Sequence, residues 1–436
     1  MHTCLLNDWK TSSSKFLVVS GASNGEIKCF NSESLRTIWT IAGKEKRKTS
    51  TSASLLSVDV IEFVEREKAW YSVVAFARDG TMSLFWYEQF LEVSVDDDGR
   101  GDEDDDFFPP EMWRREPNGE RVILKTKSEC HTFCRLSNII VTAIDLKKGE
   151  NEDAMKARLC ARPSWERGSC EVVLIDVGYM RERERPTMEV IATLRTNMES
   201  KFGSVSAIRF LSQNTVCVGY ESGHVVLFRD LKKRLLLLNE KKDIIEQIEE
   251  HEMDENDSSS VIIKRVFKDM VTCIDSRPED DLEEEEEEDT HRVVFGCAEG
   301  EFATFLISEK KPYVFKEYGQ RRGPFASKDD TKKGVSDVSL RFDKKLLAVA
   351  YWDGKTRVFS EPSTAPISTK TNDPRSQRTL LCSLKTEKRI STDDHPSVAM
   401  VKFRDDYRVT KNFELLTCTR DGSLRLWPIF PRSELQ

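Results

Sequence analysis

Six times along this chain of 436 residues, a turn glycine is followed five residues later by an aromatic side chain. The copies are "SNGEIKCF" (Gly25, Phe30), "RDGTMSLF" (Gly80, Phe85), "ESGHVVLF" (Gly223, Phe228), "AEGEFATF" (Gly300, Phe305), "WDGKTRVF" (Gly354, Phe359) and "RDGSLRLW" (Gly422, Trp427). Each stands behind an apolar run such as "FLVVSGA", "VCVGY" or "LLAVAY". An Asp-Gly or Asn-Gly pair tolerates the positive φ that a two-residue hairpin connection needs at its central positions. Apolar and polar residues then alternate with the period of a strand. Hairpins in one fixed register are copies of a single unit.

The gap between Gly80 and Gly223 is too long for neighbouring units, so a seventh copy is expected there. "ARLCARPSWERGSCEVVLIDV", with Gly168 in its turn, fits best. A further strand precedes most hairpins: "LLSVDVIEF", "SVSAIRF", "MVTCIDS", "VSDVSLRF" and "SVAMVKF". A weaker outer strand follows in places, such as "RLLLLNE". Repeated four-stranded units of about 40–45 residues are the mark of a β-propeller of the WD-repeat type. The expectation is an all-β chain, residues 1–436 forming a single seven-bladed WD-repeat propeller whose surplus length lies in polar insertions.

Charge marks two of those insertions. Residues 96–106, "DDDGRGDEDDD", carry −7, and residues 279–289, "EDDLEEEEEED", carry −10, leaving +8 on the rest of a chain whose total is −9. Runs of like charge repel themselves and bury nothing, so acidic insertions at about 94–118 and 276–290 are expected to be disordered. Their side chains, Asp96, Asp97, Asp98, Asp104, Asp105, Asp106, Glu283, Glu284, Glu285, Glu286, Glu287 and Glu288, are candidates for meeting a basic partner. A third insertion at about 239–260 places Ile244, Ile245 and Ile248 on one side of a short helix.

Eleven cysteines without a pairing pattern fit free thiols in a reducing compartment, most of them inside strands (Cys29, Cys217, Cys273, Cys297, Cys418). "CHTFC" (130–134) has no second ligand pair at zinc spacing, so no metal is expected. The first residues lack a secretory signal, and no apolar stretch is long enough to span a bilayer. A cytoplasmic or nuclear location follows, without membrane association.

Nothing points to catalysis. No i, i+4 histidine pair, Walker loop, dinucleotide fingerprint or nucleophile elbow is present, and neither a cofactor nor an enzymatic activity is expected. Asp79, Asp353 and Asp421 precede turn glycines and read as hairpin residues. "KEKRK" (44–48), "RERER" (181–185), "KKR" (232–234) and "RR" (321–322) are basic clusters in expected loops. The acidic runs oppose phosphate, and no aromatic residues interleave with the bases, which argues against direct nucleic-acid binding. Loops presented on a rigid ring to other proteins remain.

"VGYESGHVVLFRDL" (218–231), "VSDVSLRFDKKLLAVAYWDGKTRVFS" (335–360) and "TRDGSLRLWPIFPRS" (419–433) together resemble the G-protein-β-subunit-like WD-repeat family. That family includes the vertebrate β-like protein and the WD-repeat component of the fungal ASTRA complex. The resemblance implies a non-enzymatic scaffold, monomeric within a larger complex. Its implied partners are the Triple-T co-chaperone system and the phosphatidylinositol-3-kinase-related kinases that system maintains. A chromatin-remodelling or histone-associated role through the acidic loops is the alternative. No heptad helix precedes the first blade, so a G-protein heterotrimer is not expected.

The resemblance also implies a structural polar network in the last blade, formed by His395, Thr419, Asp421 and Trp427. Elsewhere phenylalanine replaces tryptophan, and apolar packing must serve instead. Because "HTCLLNDW" reads as the inner strand of the first blade, the last blade is left with three strands or closes with another segment.

Overall fold

The computed structural model describes residues 3–4, 9–10, 16–21, 27–31, 37–41, 55–65, 68–87, 122–127, 134–135, 137–142, 156–164, 166–176, 187–196, 199–231, 261–279, 290–309, 315–322, 334–361, 378–386, 397–403, 413–420 and 422–429. These form seven antiparallel sheets, the blades of a propeller, and one short helix at Glu199–Phe202.

Blade 1 is built on Phe16–Gly21, Ile27–Asn31 and Thr37–Ile41, with Thr3–Cys4 and Trp9–Lys10 both pairing to the first of these as a divided inner strand. Blade 2 runs Leu55–Glu65, Lys68–Ala77, Thr81–Tyr87 and Val122–Lys127. Blade 3 runs Ser137–Thr142, Lys156–Pro163, Cys170–Asp176 and Thr187–Leu194, which supplies the seventh copy expected around Gly168. Blade 4 is Val205–Phe210, Val216–Tyr220, His224–Phe228 and Val261–Arg265. Blade 5 is Val271–Pro278, Thr290–Cys297, Phe302–Ser308 and Phe315–Arg322. Blade 6 is Val335–Leu340, Leu346–Tyr351, Lys355–Ser360 and Leu380–Lys385. Blade 7 has three strands among the described residues, Val398–Phe403, Phe413–Thr419 and Leu424–Ile429. Its inner strand meets Thr3–Cys4, which closes the ring.

A propeller blade is covered by neighbours on both faces, so its middle strands are apolar on both sides. Val216–Tyr220 and Leu346–Tyr351 are buried at every residue. The core is therefore divided into layers between blades. Val218 and Phe228 of blade 4 pack with Leu159 and Val172 of blade 3, while Cys217 and Leu227 pack with Val293 and Phe305 of blade 5.

The turns differ from the expected two-residue form. Positive φ falls on the glycine alone at Gly80 (81°), Gly223 (81°), Gly300 (89°) and Gly354 (79°), and Gly422 also has it (89°). Each of these glycine N–H groups donates to the carbonyl three residues earlier, as Gly80 does to Ala77 at 3.0 Å. This is a type I turn followed by a left-handed residue, so the Asp before the glycine stays in an ordinary conformation. Asp79 and Asp353 accept through Oδ1 from the N–H of Thr81 (3.0 Å) and Lys355 (3.1 Å).

Other expectations are corrected. The strand pairing with His224–Phe228 is Val261–Arg265, beyond the third insertion, whereas "RLLLLNE" lies outside the described residues. Glu279, counted with the acidic run, is buried against Arg292, because the inner strand of blade 5 extends to Pro278. Arg321 and Arg322 end an outer strand and are not in a loop. Cys134, Cys160, Cys170, Cys217, Cys273, Cys297 and Cys382 remain thiols, but Cys418 is disulfide-bonded.

Candidate interaction surfaces

The aromatic five residues after each glycine has one job throughout. Phe228 lies in the layer between blades 3 and 4, Phe305 between 4 and 5, and Phe359 between 5 and 6. Trp427 packs on the layer between blades 6 and 7, and Phe30 on that between 7 and 1. Each thus faces the preceding blade, the direction fixed by strand alternation, and these side chains hold the ring rather than a ligand. The side chain of Phe85 and the whole of Gly25 lie outside what is described.

In blade 7 the Trp427 indole Nε1–H donates to Thr417 Oγ1 at 2.9 Å, not to Thr419. Register explains the correction. Trp427 stands opposite Leu415, so Thr417 is one same-face step away and Thr419 two. Thr419 Oγ1 donates to the Ser423 carbonyl at 3.2 Å. His395 and Asp421 lie outside the described residues, as do Asp96, Asp97, Asp98, Asp104, Asp105, Asp106 and Glu283 to Glu288. The same holds for insertions 94–118 and 239–260 and for the first three basic clusters.

The inner strands carry a set of polar and charged side chains that sequence reading passed over. Arg209, Asp275, Ser339 and Lys402 are the fifth residues of the inner strands of blades 4 to 7. Asp275 Oδ2 accepts from Leu340 N–H (2.8 Å), and Ser339 Oγ accepts from Phe403 N–H (3.1 Å). Asp337 Oδ2 likewise accepts from Val401 N–H (2.9 Å), and Ser137 Oγ from Phe210 N–H (3.0 Å). An innermost strand has no partner on its channel side, and these side chains satisfy its amides by reaching from the blade before.

Cations complete the arrangement. Arg209 lies 3.1 Å from Asp275. Arg135, just ahead of blade 3, reaches Asp337 at 3.1 Å and donates to the Ala399 carbonyl at 2.6 Å, tying blade 3 to blades 6 and 7. Burial pushes the Asp275 carboxyl up, but Lys402, Arg209, Arg277 and the Leu340 amide outweigh it and hold the group below its usual range. For Asp337 burial wins over Arg135 and the Val401 amide, and the carboxyl is raised. The recurrence of a polar or charged residue at the fifth inner-strand position was the signal available beforehand.

Among the described residues no group of three or more His, Cys, Asp or Glu side chains could hold a metal ion, and no helix is long and apolar enough to cross a membrane. Burial raises the thiols of Cys170, Cys217 and Cys273 far above the usual range and that of Cys297 to about 11, which makes them core side chains and poor nucleophiles.

The fold thus defines a seven-bladed β-propeller, and solved structures share it. The β-propeller domain of Myceliophteria thermophila Cps50 (Swd1) matches with a TM-score of 0.55 at 9% identity, over 98% of this chain and 97% of that one. A chain of the Mitotic Checkpoint Complex matches with 0.50 at 10% identity, over 99% and 90%. Chaetomium thermophilum Raptor matches with 0.54 at 9% identity, over 99% of this chain and 28% of its own. At such identities the likeness concerns the fold. No family model and no curated protein sequence matches the chain.

Proposed function

We propose that this propeller is a non-enzymatic scaffold for protein–protein interaction, working with the co-chaperone machinery that maintains phosphatidylinositol-3-kinase-related kinases. The observation that carries the scaffold reading is the use of the recurrent residues. Phe228, Phe305, Phe359 and Trp427 are spent on blade packing, and Asp79 and Asp353 on turns. What remains for recognition is the rim, the faces and the connections. Similar propellers include one from the Mitotic Checkpoint Complex, a multiprotein assembly by its title. The co-chaperone assignment rests on the resemblance carried by residues 218–231, 335–360 and 419–433. A location in cytoplasm or nucleus, and a monomer held within a larger complex, accompany it.

Affinity capture of the full chain from cells, read by mass spectrometry, tests the assignment. Co-chaperone and kinase subunits are the expected catch; histones and remodellers alone would overturn it. The two acidic runs, −7 and −10, favour that second reading of a histone-associated propeller. Replacing residues 96–106 and 280–289 with Gly/Ser, which leaves the buried Glu279–Arg292 pair intact, would abolish histone capture if the runs carry it.

A further inference from the structure

One end of the ring can be followed from blade to blade through a repeated contact. The residue after the second strand sends its N–H to the carbonyl just ahead of the inner strand: Glu221 to Ser204 (3.1 Å), Ala298 to Met270 (3.0 Å), Trp352 to Gly334 (3.0 Å) and Arg420 to Ser397 (2.8 Å). These positions stand at the same mouth of the channel on four successive blades, and their chemistry differs. Glu221 is engaged locally, accepting from the Ser204 N–H at 2.9 Å with Arg167 3.9 Å away. Ala298 carries no charge. The Trp352 ring lies over Gly334, and a Cβ added to that glycine would come within 2.4 Å of it. Arg420 is exposed. A second cation reaches it from across the ring. Arg135, rooted beside the buried Cys134 ahead of blade 3, donates to the Ala399 carbonyl, two residues from Ser397. It also lies 3.1 Å from Asp337, with 27% of its side chain exposed. Desolvation first, and then the Arg135 charge, push the Arg420 guanidinium below its usual range. Like charges held together in a partly desolvated place are stabilised by an anion.

We infer that Arg420 and Arg135 form a carboxylate-binding site at this mouth of the channel, which takes an acidic side chain of a partner protein. Asp337 already shows Arg135 holding one carboxylate. The Asp275 and Asp337 carboxylates on the inner strands oppose a doubly charged phosphate, so a single negative charge is the better match. Trp352, at the corresponding position of the neighbouring blade, gives the site an aromatic flank, so the acid sought stands beside an apolar residue. The chain's own acidic runs are rooted elsewhere. Residues 96–106 fall between Tyr87 and Val122, and residues 280–289 between Glu279 and Thr290. Those strand ends lie at the opposite end of the ring from the glycine turns, since each strand runs the length of its blade. Another chain is therefore the occupant. The inference rests on the scaffold reading in supposing a protein partner, and adds to it the chemistry that partner must offer.

The test is fluorescence anisotropy of a labelled Glu-Leu-Glu-Leu-Glu peptide with the purified full chain at low ionic strength. Arg420→Gln should weaken binding by about tenfold, as expected when one charge-assisted hydrogen bond is lost. Arg135→Gln should weaken it by a similar factor, but Arg135 also ties blades together, so Arg420→Gln at its exposed turn is the deciding variant. Lys385→Gln removes an exposed charge from the outer strand of blade 6 and should leave the affinity unchanged. Five results would overturn the inference. The first two are no binding of the peptide and an unchanged affinity in Arg420→Gln. The third is an equal loss in Lys385→Gln, which assigns binding to net charge. The fourth is displacement of the peptide by inorganic phosphate more readily than by acetate at equal ionic strength, which assigns the site to phosphate. The last is an affinity that rises about tenfold when residues 96–106 and 280–289 are replaced with Gly/Ser, which assigns the site to the chain's own runs. Because no cell extract is used, failure here leaves the capture experiment standing, and the reverse holds equally.

Discussion

Blades 6 and 7 carry the same hairpin figure and end in different states. In blade 6 the outer strand Leu380–Lys385 covers Val358 and Phe359, both fully buried, and brings Arg378 to within 2.7 Å of Glu361 with neither side chain exposed. The Arg378 guanidinium also lies over the ring of Phe302 in blade 5, 5.4 Å from its centroid. In blade 7 no described strand covers Leu424–Ile429. The lesson is that the glycine-to-aromatic figure specifies two strands and the direction of the aromatic, while burial of the third strand depends on a fourth that the figure does not encode.

The buried pair offers the strongest way to break this comparison. Glu361→Ala leaves the Arg378 charge buried and uncompensated, and should cost about 3–5 kcal/mol in urea unfolding. The double variant Glu361→Leu/Arg378→Met should recover most of that, since well-packed apolar groups often replace a buried pair without loss. No recovery would mean that the pair, and not merely its completeness, holds the outer strand.

Turn glycines give a second, smaller contrast. The Gly223 carbonyl accepts from Val266 (3.0 Å) and Phe267 (3.2 Å), where the outer strand of blade 4 ends. An added Cβ there would lie 2.7 Å from the Asp269 carbonyl oxygen, in a residue held at φ 81°. Gly223→Ala should therefore cost about 2–3 kcal/mol, more than the left-handed conformation alone accounts for. Gly422→Ala, at φ 89° in the blade without a described outer strand, should cost about 1 kcal/mol. Equal losses in thermal melts would remove the outer strand from the explanation.

The inner-strand carboxylates sharpen the contrast between blades by pH. Asp275 has a lowered pKa, so its stabilisation is present above the unfolded value and is lost as pH falls through the folded one. Asp337 is raised, so the folded state holds its proton more tightly, and its contribution fades as pH rises from the unfolded value through the folded one. Melting temperatures taken from about pH 7 to about pH 3 should fall less steeply for Asp275→Asn than for the parent, and more steeply for Asp337→Asn. The opposite ordering would contradict the assignment of the two environments.

Much of the ring was legible because its punctuation is local. Gly80, Gly223, Gly300, Gly354 and Gly422 each mark a turn, and the inner strands "SVSAIRF", "MVTCIDS" and "VSDVSLRF" read directly from alternation. What failed was non-local. The outer strand of blade 4 is separated from its partner by a 32-residue insertion (229–260), so the nearer apolar run "RLLLLNE" drew the assignment. Glu279 looks like the first residue of an acidic tract and is a buried partner of Arg292, a pairing set by the sheet's register. Arg135 meets Asp337 across 202 positions of sequence, and no local pattern announces that contact. The choice between Thr417 and Thr419 was a matter of one same-face step, decided by the register opposite Leu415.

That last step supports the smallest of the expected effects. Trp427 occupies the position held by Phe228, Phe305 and Phe359 in blades 4, 5 and 6, and differs from them by its indole N–H, which Thr417 accepts at 2.9 Å beside a strand without a described outer neighbour. Trp427→Phe keeps an aromatic ring on the layer between blades 6 and 7 and leaves the Thr417 hydroxyl, in a residue 2% exposed, without that donor. The cost should be about 1 kcal/mol, the net worth of one such bond. Thr417→Val should cost a similar amount, and the double variant little more than either alone, because both remove the same interaction. Additive losses would show that Trp427 and Thr417 act separately, and would return the search for the indole's acceptor to Thr419.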